Sequence, residues 1–199
     1  MPLMAGTEPR MQGTPAVTLK LLRGETSEME ELQRVLESVP TYTHLVTGVP
    51  AGPADAQSVY SILPPNKSYE DKFVFGIHLD GQMIGCIDVI RGYPVPSTAH
   101  IGLLVIAQAL HRRGLGRTAM LLLAQQIQAW RSCNRLRLGV VRTNAQVLPF
   151  WEGLGFRRTG ETKPYTYGAI TSEVIILECM LPSAIVRCAP TDDTAASRD

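Results

Sequence analysis

The chain has 199 residues, a formal net charge of +1, 45% hydrophobic residues and 19% charged ones. That length suits a single domain burying roughly 70% of the surface its unfolded form exposes, with no disulfide or metal required. The balanced charge argues against a dedicated nucleic-acid binder, and the apolar content against global disorder.

In chain order, residues 1–14 read as a loose leader, 15–182 as one domain and 183–199 as a loose tail. Val17 to Leu22 forms a first strand. Ser27 with Glu30 reads as a capping box, and Met29, Leu32, Val35 and Leu36 supply a helical apolar stripe that Pro40 ends. Thr41 to Pro65 is proline-rich, with a short helix near Ala54 to Ile62. Lys72 to Leu79 and Met83 to Ile90 flank Asp80-Gly81, a hairpin signal. Ala99 to Ile106 is a further strand, and Leu115, Ala119, Leu122, Leu123, Ile127 and Trp130 mark one face of a helix. Leu136, Leu138 and Val140 alternate with Arg135, Arg137 and Gly139 as a half-buried strand. Asn144 opens a helix that stops at Gly155, its start delayed by Pro149. Phe156 to Thr162 and Ser172 to Leu181 are the last strands, and the whole predicts a mixed α/β sheet.

The longest apolar runs, Ile101 to Ala107 and Ala119 to Ala124, fall far short of the ~18 residues of a membrane span. No basic segment leads into an apolar stretch near the N-terminus, so nothing reads as a secretory signal. Cys86, Cys133, Cys179 and Cys188 form no C-x-x-C pair. They read as two buried small hydrophobes in strands and two incidental thiols, which predicts no metal site and a reducing, cytoplasmic setting.

The chemistry concentrates in H-R-R-G-L-G-R, His111 to Arg117, between an apolar strand and an apolar helix. Gly114 and Gly116 let the backbone turn and approach a ligand, and the N–H groups of the new helix form an anion site. Arg112, Arg113 and Arg117 add charge suited to phosphates. By itself the loop also admits a plain strand-to-helix turn with solvated arginines. A P-loop is absent. Gly114 to Ala119 satisfies the relaxed dinucleotide form G-x-G-x-x-A. However, seven residues separate strand from glycine, and the next strand ends Val140-Val141-Arg142 with no acid for a ribose.

Two motifs in order, L-L-V-I-A-Q-A-L-H-R-R-G-L-G from Leu103 to Gly116 and N-A-Q-V-L-P-F-W-E-G-L-G-F from Asn144 to Phe156, resemble the GNAT superfamily of N-acetyltransferases. The resemblance implies a mostly antiparallel twisted sheet of six to seven strands, splayed between the fourth and fifth, with about four flanking helices. It implies acetyl-CoA as co-substrate, with no metal. The backbone of Leu104, Val105 and Ile106 should pair with the pantetheine arm, and an N–H near Leu104 or Val105 should face the thioester oxygen. The N–H groups around His111, Arg112, Arg113, Gly114, Leu115, Gly116 and Arg117 should hold the pyrophosphate, and Asn144 the pantetheine arm. Asn144 also reads as a helix N-cap.

Two positions depart from the family pattern. His111 stands where Gln or Arg is usual, which backbone contacts should tolerate. Trp151 stands where many members have a thiolate-protonating tyrosine, and an indole is no acid at neutral pH. Trp151 should instead wall the thioester from solvent. Tyr165 or Tyr167, if their loop folds over the sulfur, could supply the proton, and the expectation names Tyr167 with the candidate base His100 as catalytic. Asp88, Tyr93, Glu152 and Glu173 are weaker candidates. Thr41 to Pro65 and the Tyr165–Tyr167 loop should build the acceptor pocket. The expected activity is acetyl transfer to a primary amine of a small molecule or peptide, by direct attack in a ternary complex. The alternative is a non-catalytic acyl-CoA-binding sensor or scaffold. No nucleic acid or membrane partner is expected, and a homodimer is left open.

Overall fold

The computed structural model describes residues 16–181; the expected leader, the tail and Cys188 lie outside them. The elements are β1 (Val17–Leu21), α1 (Thr26–Glu37), α2 (Pro40–Thr47), α3 (Asp55–Ser61), β2 (Lys72–Leu79), β3 (Gln82–Arg91), β4 (Thr98–Ile106), α4 (Leu115–Gln128), β5 (Arg135–Val141), α5 (Leu148–Gly153), β6 (Arg157–Tyr167) and β7 (Ile170–Met180). The seven strands form one sheet in the order β1-β2-β3-β4-β5-β7-β6. Every neighbouring pair is antiparallel except β4 and β5. This is the expected mixed sheet.

Each face of the sheet carries its own core. On one, Ala119, Met120, Leu123 and Ile127 of α4 pack on Ile87, Val89, Ile101 and Leu138. On the other, Leu32, Val35 and Leu36 of α1 and Ala56 of α3 pack on Val74, Cys86 and Val105. The buried thiols of Cys86, Cys133 and Cys179 are free.

A β-bulge in β4 sets the geometry that follows. Asp88 pairs with Leu103 and Val89 with Ile101, so Gly102 is the extra residue. Before the bulge Ala99 and Ile101 face the α4 core; after it Leu104 does, while Val105 turns to the α1 core. Gly102 suits this position, because a Cβ there would come within 2.7 Å of the Asp88 carboxylate.

Three local expectations are corrected. The first turn of α1 is capped by Glu28, not by the Ser27–Glu30 pair. Its Oε2 accepts the N–H groups of Arg23, Gly24 and Glu25 at 2.7, 3.0 and 3.2 Å, three donors that would otherwise be orphaned ahead of the helix. Pro40 does not end α1, which closes at Glu37; it opens α2, where its missing N–H costs nothing. The segment between Tyr165 and Tyr167 is strand rather than loop. β6 and β7 continue to a two-residue turn at Gly168-Ala169, with Gly168 at φ 54°.

The closeness of β3 and β4 generates a stability prediction. A Cβ on Gly85 would lie 2.4 Å from the Val105 carbonyl oxygen, whereas one on Gly153 would meet nothing within 4 Å. Gly85→Ala should cost ~1–3 kcal/mol of overpacking and lower Tm by about 3–10 °C. Gly153→Ala should leave Tm unchanged or raise it slightly. Thermal melts of the two variants beside the parent check this.

Candidate functional site

The β4–β5 ladder runs over four residue pairs, Thr98 with Arg135 to Ile101 with Leu138, and then stops. Beyond it the strands part, and a cleft of about 1140 Å³ opens between them. The backbone direction of β4 decides what faces this gap. Ala107 N–H donates to Ile84 of β3 at 2.7 Å. Since groups alternate along an antiparallel strand, Val105 also turns to β3, and Leu104 and Ile106 turn toward the gap. His111 Nε2 sits 2.7 Å from the Ile106 carbonyl oxygen, tying the following loop back to the strand end.

That loop leaves backbone donors free. Arg112 and Gly114 both have positive φ, 62° and 77°, and Gly114 is the N-cap of α4. The first intrahelical bond of α4 runs from Thr118 N–H to Gly114 C=O at 3.1 Å. The N–H groups of Leu115, Gly116 and Arg117 precede it and are left for an external acceptor at the positive end of the helix. Arg117 Nη1 donates to the Gly153 carbonyl at 3.2 Å, clamping α4 to α5. A Cβ on Gly116 would only touch the Phe150 ring at 3.4 Å. The stronger preference for glycine is therefore at 114, where φ is positive.

Leu104, Val105, Ile106, His111, Arg112, Gly114, Leu115, Gly116, Arg117, Asn144 and Trp151 all line the cleft; Arg113 does not. Asn144 is only 9% exposed and kinks a 3₁₀ turn over 142–147 that precedes α5, so the α-helix starts later than Asn144. Trp151 is buried, edge-on to Phe150 and Phe156 with centroids 5.0 and 5.3 Å away. Its indole packs as a wall.

The other end of the cleft is bounded by α2, the β3–β4 connection and the β6–β7 hairpin. Here sequence reasoning missed an element. α2 brings Tyr42 into the lining, and the one local signal for that helix was Pro40 at its first position. Two of its carbonyls are satisfied from across the cleft: Leu45 by Thr143 Oγ1, and Val46 by Tyr165 Oη at 2.9 Å. The Tyr42 hydroxyl has no hydrogen-bond partner among the described residues, and burial holds its pKa well above the usual phenol value. Tyr165 lines the cleft, but Tyr167, two residues on, does not; it is 55% exposed. The pairing that carries β6 to its tip leaves Tyr167 beyond the cleft rather than folded over it.

His100 lies on β4 opposite Arg137 of β5, with the Tyr93 ring edge-on at 5.5 Å. Its Nδ1 is buried with no partner among the described residues. Burial first, then the Arg137 and Lys163 charges, push its pKa down to about 4, so the ring is neutral at pH 7. The weaker candidates are otherwise engaged. Asp88 pairs with Lys72 at 2.9 Å, Glu152 with Arg158 at 3.0 Å, and Glu173 with Arg142. Of that group only Tyr93 lines the cleft. Among the described residues no cluster of three or more His, Cys, Asp or Glu could hold a metal, and no helix is long and apolar enough to cross a membrane.

Parted parallel strands with a positive-φ turn and a helix N-terminus after one of them form a distinctive combination. The model of the acetyltransferase (GNAT) family matches residues 39–156, spanning both features. The chain belongs to the GNAT acetyltransferase family. Solved structures share its fold. An acetyltransferase from Thermus thermophilus is 24% identical with a TM-score of 0.60, over 82% of this chain and 97% of that one. The ribosomal-protein-S18-alanine N-acetyltransferase from Escherichia coli is 18% identical with a TM-score of 0.59, over 83% and 94%. A GNAT family acetyltransferase from Elizabethkingia anophelis with acetyl-CoA bound is 14% identical with a TM-score of 0.57, over 83% and 98%. No curated protein matches the sequence. Family membership gives this GNAT protein its general class, acetyl transfer from an acyl-CoA donor.

The state of His100 has a measurable consequence. In the unfolded chain its ring takes a proton near pH 6.5, in the native cleft only near 4. Between those values the unfolded state binds more protons. The native advantage is complete above about pH 6.5 and is lost as pH falls toward 4. The loss should be on the order of 3 kcal/mol. Denaturant midpoints from pH 7 to 4 should show this slope in the parent and a flatter one in His100→Gln. Equal slopes would mean that the ring is not held neutral by the fold.

Proposed function

We propose that the protein moves the acetyl group of acetyl-CoA to a primary amine by direct attack in a ternary complex. The observation that carries this reading is the end of β4–β5 pairing after Ile101 and Leu138, with the unpaired end of β4 leading on to the cradle at Arg112 to Arg117. On this reading the backbone groups of Leu104 and Ile106 pair with the amides of the pantetheine arm as an added strand would. The α4 N-terminus and its preceding turn hold the pyrophosphate, and Asn144 bonds the arm. The cleft fits an anionic ligand, since none of its lining residues is a carboxylate.

In the reaction the amine nitrogen attacks the thioester carbonyl carbon, the C–S bond breaks, CoA leaves as a thiolate, and the amine gives up one proton. Neutral His100 lines the cleft, and a turn of its ring brings the buried, unpartnered Nδ1 to the amine when the ring proton sits on Nε2. A base this weak orients the nucleophile and passes its proton on to solvent rather than storing it. The role left empty by Trp151 falls to Tyr42. Its pKa is too high for easy proton donation, but its hydroxyl can donate a hydrogen bond to the leaving sulfur. Tyr165 is bound to the Val46 carbonyl and serves to hold α2 in place.

Acetyl-CoA at a hundredfold excess over its Kd should add ~2.7 kcal/mol of stability and raise Tm by about 5–10 °C. Gly114→Asp, which strains the turn and sets negative charge in the cradle, should abolish the rise. Arg113→Ala, whose side chain is outside the cleft, should keep most of it. No rise in the parent at millimolar acetyl-CoA would defeat the reading, and thiol release with an amine panel separates an enzyme from a binding-only sensor.

A hydrogen bond to a charged group contributes ~1.5–3 kcal/mol, so Tyr42→Phe should lower kcat by about 10–100-fold with acetyl-CoA affinity nearly unchanged. Steady-state kinetics beside calorimetry checks it. A kcat within twofold of the parent would remove Tyr42 from the reaction.

A further inference from the structure

The acceptor half of the cleft has a charge pattern of its own. Arg137 and Lys163 both line it, and no carboxylate does. The acids nearest to them stop short of the lining: Glu161 and Glu178 both bond Arg137, and Glu178 also holds Arg135 at 3.0 Å. Three cations share these two carboxylates, so the cluster carries one positive charge in excess. Arg137 is bonded to both acids, whereas Lys163 has only Glu161, at 3.5 Å. That exposed pair is weak, and Lys163 is the cation able to change partner.

The position of Lys163 gives the charge a use. Lys163 and Tyr165 are two residues apart on β6, so both side chains stand on the face of the hairpin that borders the cleft, about 7 Å apart. Lys163 is also near enough to His100 to disfavour its protonation. The remaining walls here are apolar: Val46, Pro94, Pro164, Val174 and Ile176. A polyamine or a lysine-rich peptide would bring further positive charge to a site already in cationic excess, with no carboxylate to receive it. A small amine with an anion a few bonds from its nitrogen meets the opposite situation.

We propose that the acceptor is an amino-acid-like compound, a primary amine bearing a carboxylate beside an apolar side chain, whose carboxylate is received by Lys163. This rests on the acetyl-transfer reading above and narrows its substrate. The bond changes are those already described; the anion is bound and takes no part in them.

The test is thiol release from acetyl-CoA with phenylalanine and methionine, each beside its methyl ester and its decarboxylated amine. The parent enzyme should favour the acids over their esters by at least tenfold in kcat/KM. Lys163→Gln should raise KM for the acids by about tenfold or more with kcat within about threefold. The same change should leave KM for the esters and amines within about twofold, so most of the preference for acid over ester is lost. A merely structural effect of the substitution would lower all three alike and keep the ratio, which overturns the proposal. Equal use of acid and ester by the parent overturns it too, as does no turnover of the acids while calorimetry shows acetyl-CoA bound. Absence of acetyl-CoA binding overturns the transfer reading itself and the proposal with it.

Discussion

Everything at the cleft hangs on one parallel strand pair that stops early. A β-strand buried in a sheet ordinarily spends its N–H and C=O groups on both neighbours, and leaving them unpaired in a buried setting is costly. Here β4 keeps β3 on one side throughout, yet loses β5 after four residue pairs. The bulge at Gly102 begins where that loss begins, bending β4 just after the last paired residue. Both strands end at the open mouth. β4 feeds the turn that starts α4, and β5 feeds the 3₁₀ turn and α5. A single divergence thereby sets a free strand edge, a helix N-terminus and the Asn144 turn around one space.

What could be read from the sequence, and what could not, follows the range of the forces involved. The Asp80-Gly81 hairpin, α4 and the His111–Arg117 loop announce themselves through local rules: a left-handed turn, a 3.6-residue stripe, glycines where φ is positive. The parting of β4 from β5 was legible only through family resemblance, since nothing in either strand's own pattern marks it. α2 escaped because its sequence, P-T-Y-T-H-L-V-T, is rich in β-branched residues of weak helix propensity. It is held by bonds from Thr143 and Tyr165, which are about a hundred residues away in sequence. With α2 unseen, Tyr42 could not be weighed against Tyr165 and Tyr167. His100 was visible as a lone histidine, but its neutral state depends on Arg137 across the ladder and Lys163 on β6, both tertiary facts.

The charges of the molecule are sorted by side. Asp88, Glu152 and Glu173 pair with cations outside the cleft, Glu161 and Glu178 pair with Arg137 of its lining, and none of these five carboxylates is itself in the lining. Several of these pairs are exposed and contribute little to stability. Their effect on the site is larger than their effect on the fold. A carboxylate near the cradle would oppose a pyrophosphate, and one near the acceptor would hold an amine as its ammonium form, which has no lone pair to attack with.

That last consideration bears on how an amine is activated in a site without a strong base. A free alkylamine has a pKa near ~10, so at neutral pH it carries a proton that must leave before attack. A carboxylate base could accept that proton, but its charge would also raise the amine pKa and deepen the problem. In this cleft the same end is met differently under the proposed reading. Burial and the Arg137 and Lys163 charges that keep His100 neutral act in the same direction on any ammonium beside it, favouring the uncharged amine. An acceptor carboxylate paired with Lys163 would cancel part of that charge, leaving burial and Arg137 to do the rest. The mechanism then needs an acceptor atom to orient the nitrogen more than a base to capture its proton, and the unpartnered Nδ1 of His100 is such an atom once its ring turns toward the cleft. The absence of a strong base from the lining is on this view part of how the site works, since the field that displaces the proton comes from cations that no carboxylate of the lining neutralises.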